Sequence, residues 1–158
     1  MKIKKILKRL LQLHPKSVDL SLDRIKRLLK DLNNPEKKIK NPIQVVGTNG
    51  KYSFCSSLKK IFETAGYKVN MNISPSIRKF NERYYLAGKN ISDNELENLL
   101  LEVEEVNQGK SITFHEFICA CFFLAASRNN SDVNILESGL FFRLDASNVL
   151  EKNIASVI

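Results

Sequence analysis

The sequence predicts an α/β domain, three layers deep, with a mainly parallel sheet. Three observations carry this. Short apolar runs at 42–46, 67–73 and 132–136 alternate with longer stretches of helical periodicity, as strand–helix–strand units do. A Gly-rich turn, Gly47-Thr48-Asn49-Gly50-Lys51, lies where the first run gives way to a helix. The length of 158 residues, 43% hydrophobic and 27% charged, suffices for one globular domain with a real core.

The elements follow in order. Ile3, Ile6, Leu7, Leu10 and Leu11 recur at helical spacing, which predicts an amphipathic helix over 2–13. Leu22, Ile25, Leu28, Leu29 and Leu32 define a second helix, with Ser21 as its expected N-cap and Asn33-Asn34-Pro35 as its stop. Lys37 to Lys40 is a basic connector. Pro42 to Val46 is a buried strand, and helix 51–65 ends at Gly66, a natural C′ position. Tyr67 to Ile73 is the second strand. Residues 80–91, FNERYYLAGKNI, read as a β-hairpin turning near Gly88-Lys89. Ser92 with Glu95, and Thr113 with Glu116, form two capping boxes that each open a helix. Asp132 to Leu136 is the third strand and Ile154 to Ile158 starts a fourth. The last strand has no helix after it, so the domain is expected to be truncated before it is complete.

Charge is uneven. Residues 1–40 hold 13 Lys/Arg and 4 Asp/Glu, and so carry more than the whole net charge of +8. Such a segment is either a solvated helix face or an arm for an anionic partner. No aromatic residue is interleaved there, so nothing points clearly to nucleic acid. Signal-peptide features and a membrane-length apolar run are both lacking. The three cysteines, Cys55, Cys119 and Cys121, suit free thiols in a reducing cytoplasm, with Cys119-x-Cys121 read as buried thiols in preference to metal ligands.

Three stretches carry chemistry. In Gly47-Thr48-Asn49-Gly50-Lys51-Tyr52-Ser53, backbone N–H groups at a helix start would cradle phosphate, Lys51 would add charge and Ser53 a hydroxyl for Mg²⁺. The plainer reading is a tight turn with a solvated lysine. Ser74, in Ile73-Ser74-Pro75-Ser76, ends the second strand on the same edge of the sheet, where open α/β sheets bind ligands. Glu137 ends the third strand on that edge. A buried carboxylate there is either a Mg²⁺ ligand or one half of a salt bridge. His14 and His115 make no catalytic arrangement, and an exposed or capping role is expected for His115.

Together these stretches resemble the folylpolyglutamate synthase/dihydrofolate synthase family, within the Mur-ligase-type ATP-dependent amide ligases. The resemblance rests on "VDLSLDRIKRLL", "VVGTNGK", "AGYKV", "SP" followed by "FNER", "ISDNEL", "ITFHEF" and "DVNILESGLFFRLDASNV", in that order. It implies a basic N-terminal helical segment at 1–41 and part of a Mur-ligase-type ATP-binding domain of P-loop type at 42–158. It also implies ATP and Mg²⁺ as cofactors, and dihydropteroate or folate and glutamate as small-molecule partners. In such enzymes ATP phosphorylates a pteroate or folate carboxylate, and the amine of glutamate displaces the phosphate to form an amide. Carried over, Thr48, Asn49, Gly50, Lys51 and Ser53 would hold ATP. Ser53, Ser74 and Glu137 would hold the metal. Asp19, Thr113, Phe114, Asp145 and Ala146 would line the pterin site.

The departures matter as much. Tyr52 stands where the family has Gly, Phe141 and Phe142 replace a Gly-Gly pair, and Ser76 replaces His. The family's metal-binding His, its carbamylated Lys and its C-terminal ligase domain would all fall beyond Ile158. The expectation is an N-terminal fragment, inactive alone, that needs a C-terminal half. The alternative is a non-catalytic nucleotide- or anion-binding module.

Overall fold

A computed structural model describes residues 2–16, 19–139 and 142–158. The helices are α1 (Lys2–Leu10), α2 (Asp23–Asp31), α3 (Lys51–Thr64), α4 (Asp93–Asn107) and α5 (Phe114–Ser127). The strands are β1 (Pro42–Val45), β2 (Val69–Asn72), β3 (Tyr84–Leu86), β4 (Lys89–Asn90), β5 (Val133–Glu137) and β6 (Ala155–Val157). They form one six-stranded sheet in the order β4-β3-β2-β5-β1-β6. β2, β5, β1 and β6 run parallel, and the β3–β4 hairpin continues the sheet antiparallel beside β2. The hairpin turns at Ala87-Gly88, both at positive φ, and its joining the main sheet is not evident from the sequence.

Alternation along the strands sends side chains to two layers. Ile43, Val45, Val69, Met71, Ile73, Val133 and Ile135 pack with Cys55 of α3 on one face. The opposite face meets the almost wholly buried α5, whose core also takes in Ile6 and Leu10 of α1, Ile25, Leu28 and Leu29 of α2, and Leu96 and Leu100 of α4. Residues 1–41 thus share a core with the rest of the chain. This face of the sheet carries a buried polar layer. Asn70 donates to Asn134 Oδ1 and Ser131 Oγ (both 2.9 Å), Asn134 donates to Lys40 O (2.6 Å), and Gln44 donates to Ser147 O (3.2 Å).

Local signals place most element ends. Both capping boxes form. Gly66 is at φ +88, and Tyr67 N–H closes back on Phe62 O at 3.0 Å. The N-cap position of α2 is Leu22, one residue later than expected, while Ser21 Oγ still accepts from Asp23 N–H at 3.1 Å. The basic segment lies against α4, whose sequence DNELENLLLEVEEVN is acidic. Arg9 pairs bidentately with Glu104, and Lys2 stands 3.4 Å from Glu97. Among the described residues, no helix is long and apolar enough to cross a membrane.

Candidate functional site

The carboxyl ends of β1, β2 and β5 gather the chemistry. Register sets Val45 beside Glu137 and Asn72 beside Leu136, so Glu137 ends β5 and Ser74 follows two residues past the end of β2, both next to the β1–α3 turn. In that turn Gly47 and Gly50 have φ of +144 and +77, the backbone freedom that glycine supplies. The first backbone bond of α3 is Phe54 N–H to Gly50 O, 2.9 Å. The N–H groups of Lys51, Tyr52 and Ser53 therefore precede the intrahelical ladder and remain available to an anion. Lys51 Nζ is held over the loop, donating to Gly47 O (2.8 Å) and Thr48 O (3.5 Å). Thr48, Asn49 and Gly50 are exposed, as is Ser53.

Tyr52 lies inside α3, outside the positive-φ set, and its ring is exposed. Its backbone carries no strain, so any cost of replacing glycine there is steric shadowing of the loop. Phe142 opens a short 3-10 turn, Phe142–Leu144, also without positive φ. Phe141 lies outside the described residues.

Glu137 is buried. Its Oε2 accepts from Ser74 N–H at 2.9 Å, and its Oε1 is 3.9 Å from Lys51 Nζ. Burial raises its pKa above the ordinary value, while the Ser74 N–H, Lys51 and Arg83 oppose the rise. Lys51 therefore faces both the phosphate loop and Glu137. Ser74 Oγ accepts from Arg83 Nη1 at 3.2 Å. Burial pushes the Cys55 thiol beneath the loop up to about 12, with Glu137 adding to the shift, so Cys55 is no nucleophile. No cluster of three or more His, Cys, Asp or Glu has metal-holding geometry among the described residues. Oxygen donors at this edge include the exposed hydroxyl of Ser53, the Ser74 hydroxyl and the Glu137 carboxylate. That set fits Mg²⁺, which takes few protein oxygens and fills its shell with water and phosphate.

A second cluster surrounds the start of α5. Thr113 is buried, and its Oγ accepts from Glu116 N–H at 3.3 Å. Glu116 Oε2 takes Thr113 N–H (2.8 Å) and Arg24 Nε (2.9 Å), and Arg24 reaches Asp19 Oδ2 at 3.1 Å. Asp19 is thus tied to the helix start through Arg24 and Glu116. Phe114 packs edge-on against Phe80, centroids 6.2 Å apart. Ala146 is in the core.

Asp145 is buried and accepts four bonds: Oδ1 from Ser147 N–H (2.9 Å) and Ser147 Oγ (2.6 Å), Oδ2 from Gly139 N–H (3.0 Å) and His115 Nε2 (3.2 Å). A Cβ on residue 139 would fall 2.6 Å from Asp145 Oδ2, so Gly139 is required here. Burial raises the pKa of Asp145, but His115 and Ser147 outweigh it and the net shift is down. The Asp145 carboxylate is therefore fully engaged within the protein.

Two residues escape sequence reasoning. His115 has its Nε2 between Asp145 and Cys119 Sγ, the latter 3.8 Å away, so it is a paired group and not a free or capping one. The i, i+4 spacing of His115 and Cys119 is the signal that could have shown part of this. Arg83 is the other, visible in the sequence only as the last residue of "FNER".

A strand–Gly-rich loop–helix unit, with serine and glutamate ending the neighbouring strands, defines a phosphate-loop α/β domain. No protein-family model matches the chain. It is 32% identical over 92% of its length to the dihydrofolate synthase/folylpolyglutamate synthase of Escherichia coli, and 40% identical over 82% to that of Bacillus subtilis. It covers 34% and 32% of those proteins, so the chain spans about a third of the length of the curated relatives it matches. Its fold matches E. coli FolC in complex with DHPP and ADP, with a TM-score of 0.91 and 32% identity, over 98% of this chain and 37% of that one. It likewise matches the bifunctional synthase of Yersinia pestis complexed with AMPPNP and Mn ion, with a TM-score of 0.89 and 30% identity, over 98% and 38%. The chain is homologous to the N-terminal part of the dihydrofolate synthase/folylpolyglutamate synthase family.

Proposed function

We propose that these 158 residues form the ATP·Mg²⁺-binding part of a folate-type ligase and bind ligands without turnover alone. The observation that carries this is the convergence of Lys51, Glu137 and Ser74 on one sheet edge, with Lys51 Nζ 2.8 Å from Gly47 O and 3.9 Å from Glu137 Oε1. Thr48, Asn49, Gly50, Lys51 and Ser53 hold the nucleotide. Ser53, Ser74 and Glu137 are the metal's protein donors, and the metal supplies charge neutralisation on the phosphates. Phe80, Phe114 and Ala146 form the apolar wall of the pterin side, with Asp19, Thr113 and Asp145 as its supporting frame. In the reaction a carboxylate oxygen attacks the γ-phosphorus, ADP leaves with the bridging oxygen, and the glutamate amine then displaces phosphate and sheds a proton. Residues 1–41 act as part of the domain's core, and three buried free thiols accord with a cytoplasmic location.

The test is calorimetry with ATP·Mg²⁺. The chain is expected to bind, and Lys51→Ala to weaken binding by about 1–3 kcal/mol, the loss of a charged hydrogen-bond partner. Equal affinity in the two proteins would overturn the reading.

A further inference from the structure

Arg83 stands at the sheet edge, bonded to Ser74, with no ligand role in the site as described. It follows directly on the strand-end chemistry: Ile73 N–H donates to its carbonyl at 3.3 Å and Asn72 Nδ2 at 3.0 Å. Its guanidinium lies over the Phe80 ring, 5.1 Å from the centroid, and Phe80 in turn packs on Phe114. Glu137 is among the charges that bear on it. Arg83 therefore stands between the phosphate-loop cluster and the cluster at the start of α5.

Its pairing is incomplete. Arg9, Arg24, Arg27 and Arg128 each meet a carboxylate. Arg83 makes no ion pair among the described residues, and its Nε is buried with no hydrogen-bond partner. Burial works against its charge, yet a guanidinium stays protonated. A half-buried guanidinium that makes no ion pair keeps donor capacity that a ligand anion can complete. Nη1 is committed to Ser74 Oγ at 3.2 Å and Nε is closed off from solvent, which leaves Nη2 to meet a ligand carboxylate in a charge-assisted bond.

We propose that Arg83 binds the carboxylate that accepts the phosphoryl group, holding it between Ser74 and the Phe80–Phe114 pair. This rests on the reading of the site as a folate-type ligase. The location favours the accepting carboxylate over the nucleotide: Lys51 and the α3 N–H groups already serve phosphate, whereas Arg83 sits on the aromatic side of the same edge.

The test compares pteroate with its carboxamide, which keeps the ring system and loses the charge, by titration against wild type, Arg83→Gln and Arg83→Lys. Each variant is first checked for native circular dichroism. Wild type is expected to prefer the carboxylate about tenfold or more. Arg83→Gln is expected to abolish that preference while leaving carboxamide affinity unchanged. Arg83→Lys is expected to keep part of it, which preserves the test should the Gln variant not fold. A carboxylate preference that survives in Arg83→Gln, or a loss that falls on ATP·Mg²⁺ instead, would overturn the assignment. A chain that binds ATP·Mg²⁺ but neither pteroate compound overturns this inference alone. A chain that binds no ligand overturns the ligase reading with it.

Discussion

Glu137 ends a buried strand, and burial raises its carboxyl above the ordinary 4.5. The folded protein then holds that proton more tightly than the unfolded chain. The resulting stability is present below pH 4.5 and is lost as the pH rises through the raised value, leaving the ionised carboxylate a cost at neutral pH. Glu137→Gln is expected to raise the thermal midpoint at pH 7, flatten that part of the pH profile, and weaken the Mg²⁺ dependence of nucleotide binding. Identical melting and identical Mg²⁺ dependence in both proteins would make Glu137 a structural carboxylate satisfied by Ser74 and Lys51. At His115 and Asp145 the fold favours the charged form instead. The Cys119 sulfur and the Asp145 carboxylate raise His115 above 6.5 against burial. Asp145 ends below 3.8 despite burial. The His115 share is present below 6.5 and fades as pH rises above it; the Asp145 share is present above 3.8 and is lost on acidification. His115→Ala is therefore expected to cost about 1–3 kcal/mol near pH 5, where both shares are full, and progressively less in alkali. Denaturant melts across pH give the answer, and a cost independent of pH would assign His115 to packing alone.

The two capping boxes use the same chemistry in different surroundings. Ser92 and Glu95 close theirs in solvent, with Ser92 N–H to Glu95 Oε2 at 2.9 Å. Thr113 and Glu116 close theirs in the core, where Glu116 also carries Arg24. Ser92→Ala is expected to cost about 1 kcal/mol. Thr113→Ala is expected to cost distinctly more, because it leaves Glu116 N–H buried without an acceptor and disturbs the link to Asp19. Equal costs in urea melts would mean that water reaches the start of α5. Both boxes were legible in the sequence because a cap is local: the residue that accepts lies three positions from the residue that donates. So were the glycine stop of α3 and the strand-end positions of Ser74 and Glu137, which follow from element order and sheet topology. The saturation of Asp145 was not, because its donors come from α5, from Gly139 and from Ser147. Nor was the lack of an ion pair for Arg83 among the described residues, since that depends on every element packed around it.

At the scale of the molecule, the basic N-terminal segment is a structural layer as well as a charged one. Ile6, Leu10, Ile25 and Leu28 enter the core built on α4 and α5, and Arg9 answers Glu104 on the acidic helix. Deleting residues 1–41 is expected to abolish cooperative unfolding, a result that thermal melts of the shortened chain would show. A sharp melt would make the segment a detachable arm. The same scale governs turnover. The proposed reaction must assemble nucleotide, carboxylate and amine around one phosphoryl group, and losses of positioning and charge neutralisation there compound. In that proposal the chain supplies the phosphate loop, one carboxylate and two hydroxyls, and it spans about a third of the length of its relatives. Tyr52→Gly is expected to tighten ATP·Mg²⁺ by removing an exposed ring from the loop, at about 1 kcal/mol of helix stability, since Tyr52 is helical. It is not expected to produce turnover, because opening the nucleotide side does nothing for the amine. The measurement is ADP release dependent on both pteroate and glutamate, made on protein freed of host ligase. Release by wild type or Tyr52→Gly that disappears in Lys51→Ala would show that this part of the fold is enough to run the whole reaction.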